Sequence, residues 1–577
     1  MFTLNEQLGK ATRTAVGSRM LALMPLAIAL YATAETTLAQ GPFPPIPDVP
    51  VPAENPITAE KAVLGKILFW EEQLSSDNTM ACGSCHDPGS GGSDERVTAS
   101  QRHAGLDGVF NTVDDTFGSN GIPLYDDEGW FQPHAMFGFD AQVTPRTSPS
   151  FIGAMFSDTL FWDGRAEGEF VDPQTGQVVI RSGGALEIQA VEPILNPIEM
   201  GEEGRTWGEV IEKLELIRPM KLASNLPPDM AAAVAANQSY PGLFEAAFGD
   251  RSITSERIAL SLATYMRTLV PNDTPWDAHV RGIPNSLTPD EEAGWGHFQS
   301  AGCIDCHTPP LFTDHSFRNI GIRPIEQDHG RQIVTGLFED RGKFRVPSLR
   351  NVGLRNRYFH DGLRTGLNAI VNFYNGGGIE TENKDPLIVP LTLDSQARDQ
   401  LQQFLMFGLN DWRVQWEVFP FDRPRLHSEN GPAPATIIPG TGVAGTGGHI
   451  PEILIHSPPA QRAPGFRIGV TGGLGGARAI LVLRDAGPGT PAGSLFATGG
   501  IFGSTVSGGV TYYGTLSRIY KQLLLGNGPG EGYATRPTRL PPAGHLTGLT
   551  VEAQWFIIDP AAPGGMARSN IAEFTIF

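Results

Sequence analysis

Two short stretches hold the residues best suited to chemistry. In MACGSCHDPGSGG, residues 80–92, Cys82 and Cys85 stand three apart and His86 follows; in SAGCIDCHTPPLF, residues 300–312, Cys303, Cys306 and His307 repeat the unit 221 positions later. Cysteines at i and i+3 on one helical turn can form thioethers to the two vinyl groups of a haem, and the next histidine then falls beneath the iron. This reading makes His86 and His307 the proximal ligands of two covalently bound haem c groups. A redox dithiol before a chance histidine, or half of a zinc site, would use the same residues once. Two copies, in a chain with only these four cysteines, favour haem.

The elements that must position these motifs come from a chain of 577 residues, 40% apolar and 18% charged. That length has room for three or so domains at roughly 100–200 residues each. The 69 glycines and 47 prolines predict long loops and a non-helical region. Lys10, Arg13 and Arg19 precede the apolar run MLALMPLAIALYA (20–32), and TLA (37–39) offers small residues at a cleavage point. A secretory signal over residues 1–39 and a periplasmic mature chain starting near Gln40 are therefore expected. The run is shorter than the ~20 apolar residues of a membrane span, and no later segment reaches that length, so no span is expected in the mature chain. The net charge of −20 excludes nucleic acid as a partner, while a local patch could still steer a charged protein.

Residues 40–56, QGPFPPIPDVPVPAENP, read as an extended proline-rich tether. Leu64, Ile67, Leu68 and Leu74 then show near-helical spacing into the first motif, and helical patterns recur in SERIALSLATYMRTLV (255–270) and DEEAGWGHFQSAG (290–302). The expected fold is mainly α, with two cytochrome-c-like haem domains, 57–282 and 283–430, bordered near Gly282. Beyond 430, the short apolar runs FRIGV, AILVL, VTYY, VEAQWFII and AEFTIF, separated by turn signals, predict a small all-β, sandwich-like domain over 431–577. It carries no cysteine, and attachment, partner docking or dimerisation are the roles open to it.

Several further stretches occur in order: RTSPSF (146–151), FWDGRAEG (161–168), EIQAVEPILNPIEM (187–200), VPSLRNVGLRNRYFHDGLRTG (346–366) and IVNFYNGGG (370–378). With the two haem motifs they resemble the bacterial di-haem cytochrome c peroxidase and MauG superfamily over roughly residues 57–425. The resemblance implies that the N-terminal haem reacts with hydrogen peroxide and the C-terminal haem relays electrons. It assigns Trp162 to the bridge between the irons, Gln189 and Glu199 to the peroxide pocket, and Pro193 to its lining. Heterolysis of the O–O bond needs a proton to move from one oxygen to the other, which a carboxyl group can carry. Glu199 is the candidate, with Ile194, Leu195 and Met200 as apolar neighbours that would raise its pKa; Gln189 could hold peroxide without adding charge. The plainer reading of Glu199 is a solvated loop carboxylate.

The resemblance also implies a distal histidine at the first iron. His103, seventeen residues after His86, is the candidate, and His134 is a second. The insertion between His103 and Arg146 holds Asp107, Asn111, Asp114 and Asp115, which could gather around calcium or form a solvated acidic turn. The family's own calcium site is departed from, since Thr147 stands at its asparagine position and 354–358 reads LRNRY. At the second iron, typical cytochrome c peroxidases place a methionine fourteen residues after the histidine of YFHDG, whereas MauG-like enzymes carry tyrosine. Here that position is Tyr374. As a hard anionic ligand it would favour ferric iron; as a core residue it would pack with Ile370 and Phe373. Met406 is a rival ligand that reads better as helix core.

The leading expectation is an exported peroxidase, an oxidoreductase that draws electrons from a small c-type cytochrome or cupredoxin. Its rival is a MauG-like oxidase that stores oxidising equivalents across both haems and acts on an aromatic substrate or protein residue. A non-catalytic multi-haem electron-transfer protein is the third reading, and it leaves Gln189 and Glu199 unexplained. A homodimer is compatible with all three.

Overall fold

The computed structural model describes residues 43–97, 100–461, 464–485, 505–507, 510–512, 517–538, 540 and 547–577. The expected signal segment lies outside the described residues. Among those described, no helix is long and apolar enough to cross a membrane.

The first core forms around helices α1 (Ala59–Phe69), α2 (Ala185–Leu195) and α3 (Ser255–Arg267). Thr58 caps α1 by accepting from the Lys61 N–H. α1 and α3 cross so closely that a Cβ on Gly65 would stand 1.9 Å from the Ser261 carbonyl oxygen, which is why α1 carries glycine there. Between Ser90 and Ala185 the described chain forms only two- to four-residue strands and single helical turns. The expected dominance of helix fails over this stretch, where glycine, proline and aspartate favour turns over helix.

The second core packs α4 (Pro289–Ser300), α5 (Leu367–Asn375) and α6 (Ser395–Gln403) around Trp276, Trp295, Phe298, Phe312 and Phe404. Trp276 belongs to helix Pro275–Val280, so this helix joins the second core and the change of core precedes the expected border at Gly282. Val414, Phe421 and Leu426 then return to the first core. The proline-rich stretch is not a free tether. Phe43 packs on Trp276 and Trp295, and fully buried Asn55 donates to Glu187 at 2.9 Å and to the Leu260 carbonyl at 3.0 Å.

The C-terminal region is β, as its short apolar runs between turn signals predict. Strands β1 (Thr436–Ile438), β2 (Glu452–Leu454), β3 (Arg467–Leu474), β4 (Arg478–Asp485), β5 (Ser517–Leu523), β6 (Pro529–Pro537), β7 (Thr550–Ile558) and β8 (Ile571–Thr575) make two antiparallel sheets. One runs β1-β8-β7-β4-β5, with Met566–Arg568 also on β7, and the other runs β2-β3-β6. Ile468 and Val470 from one sheet share a core with Leu481, Ala553, Trp555 and Ile557 from the other. This region is clamped to the first unit. The Arg467 guanidinium forms an ion pair with Glu202 and donates to the carbonyls of Gly129, at 2.7 Å, and Ser76, at 3.2 Å. Thr535 Oγ1 accepts from Phe131 N, and the Asn78 amide donates to the Pro464 carbonyl.

Residues 149–168 of the first unit and 347–366 of the second repeat one another at an offset of 198, from Pro149 and Pro347 through Gly168 and Gly366. Leu160-Phe-Trp-Asp-Gly matches Tyr358-Phe-His-Asp-Gly. Thr159–Leu160 pairs with Ala166–Glu167, and Arg357–Tyr358 pairs with Arg364–Thr365 in the same register. Phe161 and Phe359 both hold left-handed backbone, at φ 64° and 65°. For a bulky residue that conformation costs energy and persists where the surroundings enforce it. Here it turns the next side chain, Trp162 or His360, inward. The units clasp each other reciprocally: Arg345 N donates to the Trp162 carbonyl at 2.8 Å, and Thr147 N to the His360 carbonyl at 2.9 Å. These pairs also obey the offset of 198.

Candidate functional site

Two cavities hold the two cysteine pairs. The first, about 50 Å³, is lined by Cys82, Cys85, His86, Phe69, Met80, Phe151, Gln189, Pro193, Glu199, Met200, Leu262 and Met266. Cys82–Cys85 form one helical turn, and His86 N donates to the Cys82 carbonyl at 3.1 Å. Gly83 within it is required, because a Cβ would stand 2.2 Å from the Trp70 ring. His86 Nδ1 lies 3.2 Å from the Gly92 carbonyl, which can only accept, so Nδ1 carries the proton and Nε2 keeps its lone pair. The second site repeats this arrangement: His307 N donates to the Cys303 carbonyl at 2.9 Å, and His307 Nδ1 to the Phe312 carbonyl at 3.1 Å.

Burial pushes the thiols of Cys82, Cys85 and Cys303 up to about 12. Redox dithiols need the opposite, a depressed thiol pKa in an electropositive setting. All four cysteines are free. The arrangement therefore disfavours the dithiol reading of either motif.

Gln189 and Pro193 come from α2, and Glu199 from the Asn196-Pro-Ile-Glu turn that follows it. Arg205 holds that turn by donating to the carbonyls of Ile194, Met200 and Leu74, and Gln142 donates to the Pro197 carbonyl at 2.7 Å. α2 is fixed to α3 by the buried Arg267–Glu187 pair, at 2.6 Å and 3.0 Å to the two carboxylate oxygens. The carboxyl of Glu199 and the amide of Gln189 make no hydrogen bond with the described residues. Burial pushes the Glu199 carboxyl up to about 7; Arg165 works against that rise and Glu192 adds to it. Glu199 stands half-buried in the wall of the first cavity.

The second cavity, about 190 Å³, is lined by Cys303, Cys306, His307, Tyr374, Trp162, His360 and Arg345 among a mainly apolar wall. Trp162 is buried and donates from its indole N–H to the Thr147 carbonyl at 2.8 Å. It lines the second cavity and not the first. Tyr374 projects from α5 between the core residues Ile370 and Phe373, and burial pushes its hydroxyl pKa up. Met406 lies in the turn Phe404–Gly408, packed against Gly353, and does not line this cavity.

The structure does not bring His103 or His134 to the first cavity. His103 sits in the short pair Arg102–His103/Thr116–Phe117, where its Nδ1 accepts from Gly105 N at 3.1 Å. His134 Nδ1 accepts from Met136 N, and its ring stacks on Phe137. Hairpin turns in the insertion have claimed both rings. Of the two readings of Asp107, Asn111, Asp114 and Asp115, the structure shows a hydrogen-bonded acidic turn. Asp114 accepts from the N–H groups of Leu106 and Asp107 and from the Thr112 hydroxyl, while Arg102 donates to both Asn111 and Asp115. The Arg102 guanidinium thereby supplies the positive charge beside Asp115.

Sequence reasoning passed over the partners of Trp162. His360 stacks on Phe344 with ring centroids 3.6 Å apart, and burial pushes its imidazole down to about 4. Arg146 joins the units through Asp163 at 2.7 Å and Asp328 at 2.6 Å. The repeated Phe-Trp/His-Asp-Gly signal could have found His360 and predicted the reciprocal clasp.

Residues 59–285 match the family described as di-haem cytochrome c peroxidase. The methylamine utilization protein MauG of Methylophilus methylotrophus is 28% identical over 360 residues, 62% of this chain and 84% of that protein. The cytochrome c551 peroxidase of Nitrosomonas europaea is 29% identical over 338 residues, 58% of this chain and 77% of that protein. A solved MauG-like protein associated with microbial copper homeostasis superposes with a TM-score of 0.47 at 24% identity, over 68% of this chain and 98% of its own. Two matching Cys-x-x-Cys-His turns, an acid-bearing first cavity, the family match over residues 59–285 and these relatives agree that the chain resembles the di-haem cytochrome c peroxidase and MauG superfamily.

Proposed function

We propose that the chain is an exported, periplasmic di-haem c-type peroxidase that reduces hydrogen peroxide to water with electrons from a small c-type cytochrome or cupredoxin. One observation carries this reading: Gln189, Pro193 and Glu199 line the same cavity as Cys82, Cys85 and His86. Relatives named cytochrome c peroxidases support it.

The residues present fit two haem c groups. Each cavity offers two thiols from one turn and a histidine with a free Nε2. The second also holds buried polar groups that lack partners. Arg345 is only 9% exposed, its Nε is unpartnered, and it forms no ion pair; Nε2 of His360 is unpartnered too. A buried guanidinium without an anion is costly, and a haem propionate would relieve it. When bound, the haems supply the iron at which peroxide is reduced and the means to pass electrons one at a time.

His86 and His307 would hold the irons, and Cys82, Cys85, Cys303 and Cys306 the macrocycles. The Gln189 amide would orient peroxide by hydrogen bonds, and Pro193 and Met200 would keep water out beside it. Glu199 as carboxylate would take the proton from one peroxide oxygen and return it to the other, which departs as water. Two further protons and two electrons complete the conversion of one peroxide to two waters. Trp162, projected from the first unit's chain into the wall of the second cavity, would link the two sites.

Tyr374 favours a second reading, a MauG-like oxidase acting on an aromatic substrate or protein residue, because the tyrosine lines the second cavity opposite no competing methionine. Stopped-flow mixing of the matured protein with peroxide and a reduced c-type cytochrome separates the two. Rapid peroxide-dependent cytochrome oxidation is expected. A long-lived oxidised enzyme with little cytochrome oxidation would transfer the assignment to the oxidase.

A further inference from the structure

The segment from Phe407 to Phe419 exposes five large apolar side chains: Phe407, Trp412, Trp416, Val418 and Phe419. Trp416 is 71% exposed and Phe419 68%. Of the nine tryptophans, only Trp412 and Trp416 are exposed. Single exposed leucines need no explanation, but clustered aromatics at a surface mark interaction sites.

The segment lies across the seam between the haem units. On one side, helix Trp412–Gln415 packs on the turn Pro88–Ser90, which begins two residues after His86. A Cβ on Gly89 would stand 3.2 Å from the Glu417 carboxylate. On the other side, Asn351 N donates to the Leu409 carbonyl at 2.9 Å, and the Asn351 side chain accepts from Asp411 N at 2.8 Å. Asn351 stands between Leu349 and Val352, which line the second cavity. Arg423 completes the link: it pairs with Glu417 at 2.6 Å and with Asp87, the neighbour of His86, at 3.0 Å, and lies over the Trp70 ring that packs on Gly83.

The rim of this patch is acidic. Asp273, which accepts from the Trp412 indole at 2.7 Å, stands with Glu95, Glu417 and Glu429 against the cations Arg281 and Arg413, while Asp87 and Asp411 are buried beneath them in ion pairs with Arg423 and Arg413. The whole chain carries −20. An apolar centre in an acidic ring complements one kind of surface: an apolar redox-centre edge ringed by lysines.

We propose that the Phe407–Phe419 face is the docking site of a small, basic-faced electron-transfer protein of the c-type cytochrome class. This rests on the reading that a protein donor feeds the peroxidase. Each docked donor gives up one electron and leaves oxidised, so two visits serve each peroxide. Docking beside loops of both units explains why the aromatic segment crosses the seam and does not lie on one unit alone.

The test uses the matured protein and a Trp416→Ser/Phe419→Ser variant, neither residue lying in a haem cavity. Binding of an oxidised, lysine-rimmed c-type cytochrome is titrated calorimetrically without peroxide, at low and high salt. The wild type should bind more weakly as salt rises, and the variant should bind roughly tenfold or more weakly, with a matching rise in KM for the reduced cytochrome. Peroxide turnover with a small uncharged organic reductant should be unchanged. Equal cytochrome affinity in the two proteins overturns the docking site. Sedimentation showing a wild-type dimer that the variant dissolves overturns it in favour of a second copy. A wild type that consumes peroxide with the organic reductant but binds no cytochrome defeats the protein-donor reading itself.

Discussion

The two cavities begin from the same turn and diverge on the far side. Both hold a Cys-x-x-Cys-His unit whose histidine gives its Nδ1 proton to a backbone carbonyl. The first cavity is small and faces an amide and a carboxyl with no hydrogen-bond partner among the described residues; the second is larger, mainly apolar and faces a tyrosine. The difference teaches that one repeated turn can face two walls of different chemistry, one polar and acidic, the other apolar with a single tyrosine. Even the supports differ. The first site's wall, α2, is fixed by a buried ion pair, whereas α5 behind Tyr374 is held by apolar packing.

The largest effect should come from breaking that support. Arg267→Met leaves Glu187 buried without its cation, and loss of one partner of such a pair costs about 3–5 kcal/mol. Denaturant unfolding should show that loss, together with impaired peroxide reactivity as α2 shifts. Next comes Glu199→Gln, which should keep both haems attached, as read from the covalent haem bands, and slow the peroxide reaction by about 10²-fold or more. An unchanged rate would make the first cavity no more reactive than the second. pH sharpens the same contrast. With the Glu199 carboxyl at about 7, the carboxylate that accepts a proton forms as pH rises, so the peroxide rate should climb through about pH 7, and Glu199→Gln should flatten that limb. The stability sign is opposite. The folded chain keeps a proton that the unfolded chain releases near 4.5, so this group's contribution is full below that pH and is lost as pH rises to about 7. The smallest effect on peroxide chemistry is expected from Tyr374→Phe. It should raise the second haem's potential in a redox titration and leave the first step's rate unchanged.

Much of this was legible in the sequence because covalent and local rules govern it. Cys-x-x-Cys-His spacing demands one turn and a following histidine, and the helices at 59–69, 255–267 and 289–300 follow their apolar periodicity. The grouping of Gln189, Pro193 and Glu199 was also anticipated, through resemblance to a family. Loop residues were harder to place. The type of a histidine does not reveal whether a backbone N–H will claim it, as Gly105 claims His103, or whether an arginine will pair with an acidic turn, as Arg102 does. Asn55 and Phe43 lie in a segment whose prolines suggested a tether, yet long-range packing fixed both. The β region's strands were readable from short apolar runs between turn signals, but its attachment rests on Arg467 meeting Glu202, 265 residues away, which no local pattern can signal.

That attachment has a consequence for distance. Arg467 ties β3 to Ser76, Gly129 and Glu202, and Glu202 lies three residues beyond Glu199. A module joined by one flexible linker would hold its cargo at a fluctuating reach. This one is pinned at Ser76, Gly129 and Glu202, near Met80 and Glu199 of the first cavity in sequence, so the exposed sides of its sheets keep one fixed span and orientation to that cavity.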